Sequence, residues 1–162
     1  MQNNFEIRQN VVFLKTNYVV MKEDQLNEAF VRYESLGNGD IIHLIHFARK
    51  GLSFAHFQQL SRNTPFPNKE WSDILHISER TLQRYKKEGL SFEPLQSERI
   101  LEIALLQRKG TEIFGTPEKF FTWLNSVNIS LGNVLPRELL DNGFGIGLIK
   151  DELLRIEHGV LA

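Results

Sequence analysis

Ser78, Arg80, Thr81, Arg84 and Lys87 fall in one short stretch and, if that stretch is helical, on its outward side. Arg80 and Arg84 stand four residues apart, so a helix places them on one face. An arginine there can bond a guanine edge with two donors. Ser78 sits where it would cap the helix, leaving first-turn amides to meet a phosphate. Lys87, with Lys86 beside it, would neutralise backbone phosphates. The chemistry on offer is recognition of duplex DNA. A short amphipathic helix with a basic solvent face would use the same residues.

Other chemistries are poorly supplied. His43 and His46 share a helix face and His56 follows, but no third ligand at regular spacing completes a zinc site. Cysteine is absent, which excludes disulfides and thiolate metal sites. Gly143-Phe144-Gly145-Ile146-Gly147 lacks the spacing of a dinucleotide-binding loop and follows no predicted strand, so it reads as a turn with close helix packing. Phe120, Phe121 and Trp123 read as core rather than as a base-stacking platform. No serine or aspartate setting suggests a nucleophile. The expectation is a protein with no catalytic residue, no metal and no cofactor.

Charge adds a second theme. The net charge of −1 excludes binding of nucleic acid by bulk positive charge. Its distribution is uneven: Ser78 to Lys87 is basic, whereas acids predominate from Glu112 onward, ending in Asp151, Glu152 and Glu157. A basic middle and an acidic end predict two surfaces with different partners.

The elements that must position these groups are helical from Gly39 onward. Val11 to Leu14 and Tyr18 to Met21 read as short strands, and Asp24 to Glu34 as a helix. Gly37-Asn38-Gly39-Asp40 reads as a turn and a boundary. Helices follow over Ile41 to Lys50, after Ser53 and over Asn68 to Leu75. Others run over Ser78 to Glu88, stopped by Gly89, and from Pro94 to about Lys109, stopped by Gly110. Thr116-Pro117-Glu118 opens another, with Phe120, Leu124 and Val127 as its apolar stripe. Pro136 opens a short helix to Leu140, and a last one runs from Phe144 to Glu157. No stretch approaches a membrane span and no secretory leader is evident, so a cytoplasmic protein is expected.

Within this series the pair at Asn68 to Glu88 has the spacing of a helix-turn-helix. Trp71 and Leu75 face inward from the first helix, Ile77 plugs the turn, and Leu82 and Tyr85 face inward from the second. Ser72 is the small residue at the crossing. The turn position that is usually glycine is His76, a residue that adopts the left-handed conformation more readily than most.

From Glu112 to the end the sequence resembles the Xre/MbcA/ParS toxin-binding domain. The resemblance lies in Phe114-Gly115-Thr116-Pro117-Glu118-Lys119, Trp123-Leu124, Leu131-Gly132-Asn133, Leu135-Pro136, Leu139-Leu140 and Leu153-Leu154-Arg155-Ile156-Glu157-His158-Gly159-Val160. It extends loosely back to Ile41. The resemblance implies a type II antitoxin that pairs through its N-terminal part, represses its own operon and holds a RES-domain toxin that destroys NAD. It places toxin contacts at Asp151, Glu152, Arg155, Glu157, His158, Val160, Leu161 and Ala162. The acids suit a partner with a basic NAD pocket, and the apolar chain end could enter a cleft.

The expected protein is all-α, with a short β element near the N-terminus. Residues 1–38 form an extension, 39–110 a helix-turn-helix domain and 111–162 a toxin-binding domain. Its partners would be the cognate RES-domain toxin, operator DNA and a second copy of itself. The alternative is a stand-alone helix-turn-helix regulator whose C-terminal domain only oligomerises.

Overall fold

Ser53, Ser78, Thr116 and Asn142 each stand one residue before a helix and serve it in the same way. Each side-chain oxygen accepts the backbone N–H three residues on, at 3.3, 3.0, 3.3 and 2.9 Å. These caps satisfy amides that have no partner inside the helix. They set the frame of the computed structural model, which describes residues 38–159.

Among the described residues, seven α-helices follow in order: α1 Asn38–Lys50, α2 Phe54–Ser61, α3 Asn68–Ile74, α4 Glu79–Glu88, α5 Pro94–Phe114, α6 Pro117–Leu124 and α7 Gly143–Glu157. A 3-10 turn, Pro136–Leu139, stands between α6 and α7. The described residues contain two isolated bridges, Ser53 to Ser91 and Asn128 to Val134, and no strand beyond them. The expected strands at 11–14 and 18–21, and the helix at 24–34, lie outside the described residues.

Three local expectations change. Asn38 to Asp40 form the first turn of α1 rather than a loop, while the boundary expected at this cluster coincides with the division of the chain after Asp40. Gly110 does not stop α5, which continues to Phe114 and ends at Gly115 in the left-handed conformation (φ 85°). A Cβ at Gly110 would overlap the Phe120 ring, so this glycine admits α6 against α5. Val127 lies beyond the end of α6 and is 63% exposed, because Asn125 closes the helix by returning its N–H to Phe121 and Thr122.

The central spine is α5, which packs against α2, α6 and α7. On one side lies an aromatic cluster in which Phe57 meets Trp71 and Phe92 at 5.1 Å, and Tyr85 meets Phe92 at the same distance. On the other, Ile100, Ile103 and Leu106 of α5 are buried with Phe120, Leu124, Leu140, Ile146, Ile149 and Leu153. Burial of such a side chain contributes about 1.5–3 kcal/mol. Phe66 joins the two clusters, touching Trp71 and Phe121. The fully buried Ser97 locks the start of α5, accepting Leu52 N–H at 2.8 Å and donating to the Phe92 carbonyl at 3.2 Å. From Ile41 onward the chain is one compact unit, with α5 running continuously through residues 94–114.

Candidate nucleic-acid interface and C-terminal surface

The turn between α3 and α4 is built by backbone hydrogen bonds. His76 N–H donates to Asp73 at 3.2 Å and Ile77 N–H to Ser72 at 3.0 Å. His76 takes the left-handed conformation the turn requires, with φ 53°. Ser72 is buried and donates its hydroxyl to the Asn68 carbonyl at 2.8 Å, which lets the two helices approach closely. Trp71, Leu75, Leu82 and Tyr85 all point into the core, and Ile77 is half-buried. The apolar spacing read from the sequence thus corresponds to an actual helix-turn-helix packing.

That packing turns the other side of α4 outward. Ser78, Arg80, Arg84 and Lys87 are exposed, and so is Gln83, which the sequence reading left out although it stands three residues from Arg80. Thr81 is half-buried, its hydroxyl 2.9 Å from that of Ser78, so it serves the cap first. The Arg84 guanidinium lies 5.8 Å from the Tyr85 ring centroid. The outward face holds cations with donor groups, one neutral carboxamide and, at its end, the exposed Glu88 carboxylate. Such a face can bond phosphate oxygens and the edges of bases.

At the other end, α7 buries Ile146, Ile149 and Leu153 completely. It approaches so closely that a Cβ at Gly145 would overlap the Leu139 carbonyl. Gly143 to Gly147 are therefore the first turn of a packed helix. The acids expected to face a partner separate into two kinds. Glu152 is buried, 6% exposed, and its carboxylate accepts from Arg155 at 2.8 Å. Glu157 bonds Lys109 of α5 at 2.7 Å. Asp151 and His158 are exposed. Val160, Leu161 and Ala162 lie outside the described residues. The outward side of α7 also carries Phe144, 91% exposed, with Leu148 and Leu154 about half exposed. The sequence reading missed these because they share a helix with equally apolar core positions.

Arg137 in the 3-10 turn binds Glu70 of α3 through two nitrogens and Asn125 through a third. Its guanidinium also stands 5.9 Å from the Phe66 ring centroid. Among the described residues no group of three His, Asp or Glu side chains is placed to hold a metal ion. His56 uses Nδ1 on Ser53 Oγ at 2.9 Å and packs against Phe47. No described helix is long and apolar enough to cross a membrane.

The antitoxin Xre-like helix-turn-helix domain family matches residues 43–105. The antitoxin Xre/MbcA/ParS C-terminal toxin-binding domain family matches residues 109–159. A protein of Yersinia enterocolitica described as antitoxin Xre is 27% identical over 120 residues, spanning 74% of this chain and 81% of that protein. A chain of the crystal structure of the M. tuberculosis MbcT–MbcA toxin–antitoxin complex shares the fold. It is 18% identical with a TM-score of 0.53, over 67% of this chain and 96% of that one.

Proposed function

We propose that this chain, an Xre-type antitoxin by both of its domains, neutralises a RES-domain toxin that degrades NAD and represses its own operon through α4. The antitoxin assignment and the absence of enzymatic activity follow from the family. Beyond the family, the toxin would consume NAD, its inhibition would be by occlusion, and the protein would bind its operator in the cytoplasm as a dimer or higher assembly.

The observation that carries the reading is the pair of outward surfaces on one compact unit. Arg80, Arg84 and Lys87 are exposed on α4, while Phe144, Leu148 and Asp151 are exposed on α7. Electrostatic attraction would bring the basic face to DNA phosphates. The apolar residues of α7 supply contact area for a protein partner, with Asp151 exposed midway along the helix and His158 at its end. Glu152 is buried and accepts from Arg155, whereas Arg155 itself and Glu157, which bonds Lys109, are exposed and remain open to a partner. In this reading Val160, Leu161 and Ala162 continue past α7 into the toxin's cleft.

The test is to co-express this chain with the product of its neighbouring gene, expected to be a RES-domain protein, and to follow co-purification and cellular NAD. Rescue of growth and preserved NAD support the reading. A RES-domain protein that neither co-purifies nor is inhibited overturns it in favour of a stand-alone regulator.

A further inference from the structure

Four exposed side chains follow one another along the outward face of α4: Arg80, Gln83, Arg84 and Lys87. Three are cations, which can only donate. Gln83 is the neutral member, with a carbonyl acceptor beside an amide donor. A phosphate offers only acceptors, so half of that carboxamide is of no use to it. Adenine presents the complementary pair in the major groove, N7 as acceptor and the N6 amino group as donor.

Thr81 shares its hydroxyl hydrogen bond with Ser78, and Arg84 lies against the Tyr85 ring. Among the described residues, no hydrogen bond or ion pair engages the side chain of Gln83 or Arg80. Three residues of helix separate these two by roughly 4.5 Å along the axis. That is comparable to one or two base-pair steps of about 3.4 Å.

We propose that Gln83 determines operator specificity by reading an adenine, with Arg80 reading a guanine within two base pairs of it. This inference rests on the operator-binding reading of α4.

The experiment selects binding sites from a random duplex library with the full chain, as wild type, Gln83→Ala, Gln83→Glu and Arg80→Ala. Circular dichroism confirms equal helicity beforehand. The wild type is expected to enrich a site holding a guanine and an adenine within two positions. Gln83→Ala should reduce discrimination at the adenine roughly ten- to hundredfold and leave the other positions intact. Gln83→Glu should move that preference towards cytosine, whose N4 amino group suits a carboxylate acceptor. Arg80→Ala should relax the guanine instead. If Gln83→Ala selects the unchanged site, or weakens binding to all sequences alike, Gln83 is no base reader, although operator binding stands. If the wild type enriches no site, operator binding itself falls and the role of Gln83 with it.

Discussion

The ring Nε2 of His76 lies 2.9 Å from the backbone carbonyl oxygen of Asp141, 65 residues away in sequence. The turn between the two helices of the helix-turn-helix pair is thereby bonded to the residue before the N-cap of α7. A glycine would enter the left-handed conformation without strain but could not make this bond. A non-glycine residue there costs about 1–2 kcal/mol. The histidine accepts that strain and in return connects the two surfaces of the molecule.

His76→Ala should therefore lower stability by about 1 kcal/mol, since the strain stays and an exposed hydrogen bond of about 0.5–1.5 kcal/mol goes. His76→Gly loses the same bond but relieves the strain, so it should unfold at higher urea than the alanine variant. Urea titrations of the three proteins check the order. An alanine variant as stable as wild type would show that the bond to Asp141 contributes nothing.

Arg137 makes a second connection between the same regions, through both carboxylate oxygens of Glu70. Lysine cannot reproduce a two-pronged pair. Arg137→Lys and Glu70→Gln should each cost about 1–2 kcal/mol, and the double variant should cost little more than either. A coupling energy near zero in that double-mutant cycle would reduce the pair to a surface contact.

Gly110→Ala separates a local rule from a tertiary one. In an exposed helix the change would gain about 1 kcal/mol. Here the new methyl meets the Phe120 ring, so a net loss of about 1–3 kcal/mol is expected, as for other overpacked sites. Combining it with Phe120→Leu should cost less than the two changes summed. Thermal unfolding of the set measures this directly, and a stabilised Gly110→Ala would contradict the packing account.

These sites mark where the sequence was legible. Ser53, Ser78 and Thr116 act on amides three residues away, so these helix starts can be read locally. The outward face of α4 follows from the inward positions of Leu82 and Tyr85. Gly110 was read as a stop because its reason, the Phe120 ring, belongs to another helix. Glu152 read as a docking acid for the same reason: its burial depends on how α7 lies against the core. The partners of His76 and Arg137 are more than sixty residues away, beyond the reach of periodicity.

Arg80→Ala combined with Arg84→Ala should abolish operator binding while leaving toxin neutralisation intact, since α7 is untouched. Each lost base contact should cost about 1–3 kcal/mol. Gel shifts on the selected site, alongside inhibition assays on the same preparation, test both halves. Unchanged sequence-specific affinity would remove these arginines from the interface.

The last expectation concerns inhibition. Removing His158 to Ala162 should release the activity of the RES-domain partner while the helices persist. Within the described residues, the deleted segment supplies only end-turn bonds, from His158 N–H to Leu154 at 3.1 Å and from Gly159 N–H to Ile156 at 3.1 Å. The core residues Ile149 and Leu153 remain in place. Glu152 is unsuited to testing electrostatic docking, because lysine there would leave a buried charge facing Arg155. Asp151 is exposed, so Asp151→Lys should slow association and make its rate less salt-dependent without altering helicity. Full-length and truncated proteins of equal helicity should be titrated against the purified partner while NAD loss is followed. Equal inhibition by both would show that the tail is not the blocking element. The blocking surface would then lie on α7 itself, where Phe144→Ala and Leu148→Ala should weaken inhibition instead.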